Sequence, residues 1–144
     1  MSYQNAYVRQ QKRRSKCEIY LCQLIKDEFP NLKIVPNERK ILNGYEIDVA
    51  IPSLNFGIEW NGKCHYFPIY GEEKLKIIQQ RDSEKQEIAK SKNFNLVVVP
   101  DLVSNRPFVE KVYIDISKMI KELVDSCGIE PHSAVLQTAA ESPD

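Results

Sequence analysis

An α/β domain with a mixed central β-sheet flanked by helices is the fold class this sequence predicts, on three observations. Stretches of helical period alternate with stretches of strand period, an acidic β-hairpin stands between the first two helices, and a continuous apolar run at 96–99 has the β-branched composition of a sheet strand. The chain of 144 residues carries 20 Lys+Arg against 20 Asp+Glu, 42% hydrophobic residues and four Cys, which suits one globular domain and excludes wholesale disorder.

The elements follow in order. Residues 13–29 read as a helix because Leu21, Leu24, Ile25 and Phe29 fall on one apolar stripe, and Pro30-Asn31 stops it. Short extended pieces are expected at 33–35 and 38–42, and Asn43-Gly44 is a strong turn signal. Alternation at 45–51 places Ile47, Val49 and Ile51 on one strand face and Glu46, Asp48 and Ala50 on the other. After a turn at Pro52-Ser53-Leu54, residues 55–61 alternate again, with Phe56, Ile58 and Trp60 opposite Gly57, Glu59 and Asn61, so the two strands form a hairpin. A loop holding His65, Tyr66, Phe67 and Tyr70 leads to a helix over 72–92 that Asn93 ends. The run at 96–99 is expected as a strand buried on both faces, closed by Pro100-Asp101. A last helix over 109–124 shows Val112, Ile116, Met119, Ile120 and Leu123 at helical spacing, a pattern that serves core packing or assembly equally well.

The zero net charge hides an asymmetry. Residues 1–16 form a basic arm with Arg9, Lys12, Arg13, Arg14 and Lys16 and no acid, 17–127 form the single domain, and 128–144 are expected as a disordered tail. Such an arm suits contact with a phosphate backbone, and suits a solvated helix start as well. No apolar run approaches the roughly 18 residues of a membrane span and no signal-type segment opens the chain, so a soluble, intracellular protein with no membrane partner is expected. No Cys-x-x-Cys pair occurs, and the spacing of Cys17, Cys22, Cys64 and His65 matches no standard zinc ligand set, so free thiols are expected.

The informative positions are charged residues on stripes that ought to be apolar, because burying an unpaired charge is costly. Leu75, Ile78, Asp82, Lys85 and Ala89 share one face of the second helix, and Glu18 shares a face of the first with Leu21 and Ile25. In the hairpin, Glu46 and Asp48 line one strand face, and Glu59 and Asn61 line one face of its neighbour. Each has a plain structural alternative: hairpin acids in water, an Asp82–Lys85 pair on a helix flank, Glu18 favoured by the helix dipole, His65 as a packing residue. Together, Glu18, Asp48, Glu59, Asn61, His65, Asp82 and Lys85 come from successive elements that a compact domain brings together. Their oxygen-rich set suits a hard cation such as Mg²⁺, and a histidine beside it suits acid–base work near neutral pH.

The stretch Tyr45-Glu46-Ile47-Asp48-Val49-Ala50-Ile51-Pro52, then Ile58-Glu59-Trp60-Asn61-Gly62-x-x-His65-Tyr66, then Gln80-Arg81-Asp82-x-x-Lys85, resembles the PD-(D/E)XK nuclease superfamily. Within it, the likeness is to the branch of the very-short-patch repair endonuclease and the phage-type homing endonucleases of the EDxHD group, and it spans about residues 15–100. The resemblance implies a restriction-endonuclease-like core and a Mg²⁺-dependent endonuclease (Mn²⁺ as substitute ion) that hydrolyses double-stranded DNA. Asp48 and Glu59 would hold the metal, Glu18 would be the acid of the first helix, His65 the histidine after the second strand and Asp82 the later helical acid. Asn61 stands where many members have Lys, leaving Lys85 or His65 to take over that role. In this picture Arg9, Lys12, Arg13, Arg14 and Lys16 contact the DNA backbone, and the aromatics at 66–70 either wedge against bases or pack. A site-specific homing-type enzyme of phage, viral or mobile-element origin is the first expectation, in the cytoplasm of an infected host or of a bacterium. Restriction or repair enzymes and an inactive DNA-binding protein are the alternatives. Cutting both strands with so small a domain implies a homodimer or homotetramer.

Overall fold

The computed structural model describes residues 15–127; the basic residues Arg9, Lys12, Arg13 and Arg14 and the tail at 128–144 lie outside them. The element order is α1 (Lys16–Glu28), β1 (Val35–Leu42), β2 (Tyr45–Ile51), β3 (Phe56–Asn61), α2 (Glu72–Ser91), β4 (Asn95–Pro100) and α3 (Arg106–Cys127). The strands form one sheet in the order β1-β2-β3-β4, antiparallel as far as β3, with β4 parallel to β3. That parallel step needs a crossover, and α2 supplies it. This is an α/β architecture with a mixed four-stranded sheet flanked by three helices, as expected. No helix among the described residues is long and apolar enough to cross a membrane.

Local chemistry explains the boundaries. Ser15 caps α1, its hydroxyl accepting from the Glu18 amide at 3.1 Å. Asn43 and Gly44 both take positive φ, 54° and 94°, which the tight β1–β2 hairpin turn requires. Asn93, at φ 56°, ends α2 in the left-handed conformation.

The two faces of the sheet are packed differently. Val49, Ile51, Phe56, Ile58, Trp60 and Val99 point toward α1 and α3 and join Leu21, Ile25, Val109, Ile116 and Ile120 in the main core. On the α2 face a smaller cluster gathers Leu42, Ile47, Ala50, Ala89 and Phe94. Gly57 lies beneath it: a Cβ there would stand 2.8 Å from Ile47 Cγ2 and from Phe94 Cε2, so only glycine allows this approach. α3 is a core helix, with Val109, Ile116, Ile120 and Val124 buried, and begins at Arg106 rather than 109.

Three expectations are corrected. The pieces expected at 33–35 and 38–42 are one strand with an irregular register between Glu38 and Leu42; buried Glu38 accepts there from the amides of Lys40 and Ile41, both at 3.0 Å. In β2 the alternation slips, and Ile47 packs with Ala50 toward α2 instead of with Val49 and Ile51. The β2–β3 ladder pairs Val49 with Ile58, and next to it the Asp48 and Glu59 carboxylates take up backbone amides. Finally, β4 is not buried on both faces: it is an edge strand, paired only with β3, and Val98 is 38% exposed. Its apolar run serves Val97 and Val99 on the main-core side and Leu96 on the other.

Candidate active site

All six residues of β3 are buried, and Gly57, Glu59 and Asn61 face α2. The apolar cluster covers only the Gly57 end of that face. Toward Asn61 the wall is charged, and α2 brings Asp82 and Lys85 to it. Their stripe, Leu75, Ile78, Asp82, Lys85 and Ala89, does turn inward: Ala89 is buried and the other four are partly covered.

The bonds are specific. Lys85 Nζ lies 2.8 Å from Glu59 Oε1, with both side chains largely covered. Glu59 Oε2 accepts from the Asp48 amide at 3.2 Å, while Asp48 Oδ2 accepts from the Trp60 amide at 2.7 Å. The two carboxylates are thus laced across the hairpin, each holding the neighbour strand's backbone. His65, in a short 3₁₀ turn after β3, places Nδ1 2.8 Å from Asp82 Oδ2, and Gln79 on α2 donates to the His65 carbonyl at 3.2 Å. A carboxylate can only accept, so Nδ1 carries the proton and Nε2 of the neutral ring is left as a base.

Electrostatics separate this carboxylate pair from ordinary surface acids. Burial first, and then the neighbouring Asp48 charge, push Glu59 up to about 7, against the pull of Lys85. Asp48 is raised as well, again by burial, with the Trp60 amide and Lys85 opposing. Two carboxylates that resist ionisation side by side form a place where added positive charge is welcome. Among the described residues no group of three or more His, Cys, Asp or Glu side chains converges as a ready metal site; what the hairpin offers is this pair.

Asp48, Glu59, Asn61, His65, Asp82 and Lys85 therefore share one region. Glu18 lies elsewhere, partly buried in the first turn of α1; burial, then Asp101 and then the Glu18 charge raise the pKa of the neighbouring Cys17 thiol. Lys16 opens α1, exposed. Of the loop aromatics, Tyr66 is 37%, Phe67 49% and Tyr70 70% exposed, and the Tyr66 ring stands 6.3 Å from that of His65.

One residue passed unnoticed in the sequence. Buried Asp101 accepts from the Trp60 indole at 2.7 Å and from the amides of Val103 and Ser104, and its own amide donates to the Asn61 carbonyl at 2.7 Å. Burial opposes its ionisation, but these donors win and hold its pKa low. It pins the ends of β3 and β4 beside the site. The Pro100-Asp101 step reads only as a strand stop, because Trp60 and Asn61, which tie it to the site, lie far off in sequence.

Two cavities open on the cluster. One, of about 180 Å³, is lined by Glu59, Asn61, Tyr66, Lys85, Leu96 and Val98 among others; a second, of about 370 Å³, lies against His65, Asp82 and Lys85 on the side of Tyr45 and Glu46. Asn61 is 4% exposed, and its side-chain amide makes no hydrogen bond to the described residues although it lines the smaller cavity. An unmet buried amide costs about 1–3 kcal/mol, so it calls for a partner other than the described residues. No family model, no curated protein and no solved structure matches this chain.

Proposed function

We propose that this chain is a Mg²⁺-dependent endonuclease of double-stranded DNA with a restriction-endonuclease-like core, of the site-specific homing type and acting as a homodimer or homotetramer. The observation that supports it most is the laced Asp48–Glu59 pair, with Glu59 buried and Asp48 half-buried, the Asp48 charge opposing ionisation of Glu59, a lysine and a histidine–aspartate pair beside them, and Glu59 lining the smaller cavity.

The donor set fits the ion. Mg²⁺ takes one or two carboxylates and completes its shell with water and substrate phosphate, and Asp48 and Glu59 are two hard oxygen donors whose repulsion a cation relieves. Bound there, the ion would polarise the scissile phosphate and acidify a water molecule. The protein's own groups do the rest. Asp82 fixes the His65 ring so that Nε2 is free to accept a proton. Lys85 reaches Glu59 from α2, bringing an ammonium beside the slot where Asn61 replaces the motif lysine, where it would neutralise charge developing on the phosphate. The Asn61 amide supplies a neutral donor to a phosphate oxygen.

The test is cleavage of mixed plasmid and phage-genome DNA with Mg²⁺ and with EDTA, by the wild-type chain and by Asp48→Ala, His65→Ala and Glu18→Ala variants. Expected are Mg²⁺-dependent cutting, its abolition by Asp48→Ala, a loss of about 10²–10⁴-fold for His65→Ala, and a smaller loss for Glu18→Ala. Absence of cutting with DNA binding retained in EDTA would instead identify an inactive binding protein.

A further inference from the structure

The larger cavity has an arginine end that the chemistry above does not use. Both cavities are walled by Asp82 and Lys85, so they lie side by side across these two residues. Apart from the shared Lys85, the end with Asn61, Tyr66, Leu96 and Val98 carries no lysine or arginine. At the opposite end, Arg39 from β1 and Arg81 from α2 border the cavity.

Neither guanidinium is used up by the fold. Arg39 donates from one nitrogen to Glu46 Oε1 at 3.0 Å, and the other Glu46 oxygen is taken by the Asn37 side chain; both Arg39 and Arg81 are exposed. Arg81 forms no ion pair within 4 Å among the described residues. Glu84, an acid that feels the Arg81 charge, is already engaged through both oxygens by Tyr45 and Gln80. Two guanidinium groups with spare donors at one cavity, and Tyr66, Leu96 and Val98 with the amides of Asn61 and Gln86 at the other, describe an asymmetric seat.

We infer that Arg39 and Arg81 grip a second phosphate of the bound strand, the neighbour of the one presented to Asp48 and Glu59, while the Tyr66, Leu96 and Val98 end takes the nucleoside on the far side. This inference rests on the DNA reading proposed above. The guanidinium fork matches phosphate geometry, and a grip one phosphate away fixes the direction in which the strand crosses the site. The seat therefore selects a polynucleotide over an isolated diester.

The experiment uses the full chain and a fluorescein-labelled duplex, with anisotropy read in EDTA over a salt series, for wild type, Arg39→Gln, Arg81→Gln and Arg81→Lys; cleavage in Mg²⁺ and melting temperature are followed in parallel. Each Gln variant is expected to weaken binding by about tenfold and to lower the slope of log affinity against log salt by about one, and Arg81→Lys to recover the slope. The loss appears in KM during cleavage. Melting temperatures stay at the wild-type value because both side chains are exposed. Unchanged affinity and slope in both Gln variants of a chain that cuts DNA overturns the grip alone. A wild-type chain that neither binds nor cuts DNA removes the DNA reading, and the grip with it.

Discussion

Each face of the sheet holds a buried-edge glutamate paired with a lysine, and the two pairs behave in opposite ways. On the α1/α3 face, Glu28 receives Tyr113 Oη at 2.5 Å, Ser117 Oγ at 2.8 Å and Lys121 Nζ at 3.2 Å. Burial opposes its charge, but these donors outweigh it and hold the carboxyl below its ordinary range. On the α2 face, Glu59 has Lys85 and one amide, sits deeper, and shares its surroundings with Asp48, so its pKa rises to about 7. What decides between them is the count of donors against the depth of burial and the nearest like charge. Glu28 joins two helices at the rim of a finished core. Glu59 interrupts a core, which is a stability cost that a function has to explain.

The comparison is broken most forcefully by attacking the main core. Phe56→Ala, at a fully buried position between sheet and helices, is expected to cost about 3–5 kcal/mol in denaturant unfolding. Gly57→Ala, on the opposite face of the same strand, should cost about 1–3 kcal/mol, because the added methyl meets Ile47 and Phe94 at 2.8 Å. If Gly57→Ala were neutral, the α2-side cluster would be looser than the packing indicates.

The glutamates sharpen it further. Glu28→Gln is expected to lower stability by about 1 kcal/mol, since Tyr113, Ser117 and Lys121 lose a charged acceptor. Glu59→Gln at pH 8 is expected to leave stability unchanged or raise it, by removing a carboxylate held beside Asp48, while DNA cleavage is lost. Equal losses of stability in both variants would make the Glu59 pair an ordinary structural bridge.

Much of this division was legible in the chain. The stripe through Ile78, Asp82, Lys85 and Ala89 marks a helix whose buried side turns from apolar to charged, and the turn coincides with Glu59 and Asn61 on β3. Ile47 was misplaced because alternation assumes an unbroken ladder, whereas Asp48 and Glu59 interrupt it with side-chain bonds between residues eleven and twelve apart. The exposure of Val98 depends on strand order, a tertiary fact that an apolar run does not carry. Asp101, Arg39 and Arg81 look like a strand stop and two surface bases until the fold sets them beside Trp60 and His65. Periodicity reports which face of an element is buried; it is silent on what that face meets.

The pH dependence is the most diagnostic, because its sign differs between the two pairs. Glu59 has a folded pKa of about 7 against an ordinary 4.5, so the folded state holds the proton more tightly than the unfolded chain. Its contribution to stability is full below 4.5 and is lost as pH rises toward 7, after which it stays constant. Glu28, with its folded pKa lowered, contributes above its ordinary 4.5 and loses that contribution as pH falls through the folded value. Melting curves in EDTA from pH 2 to pH 8 should therefore show Glu59→Gln escaping a decline that wild type suffers between about 4.5 and 7, and Glu28→Gln escaping one below about 4.5. Adding Mg²⁺ at pH 8, where Glu59 is ionised, should raise the wild-type melting temperature, the stabilisation growing with the logarithm of ion concentration and reaching about 2.7 kcal/mol at a hundredfold excess over Kd. Asp48→Asn should lose that rise. A Glu59→Gln curve parallel to wild type at every pH would mean that the carboxylate is already neutralised by Lys85 alone, and that the hairpin is not poised to receive a cation.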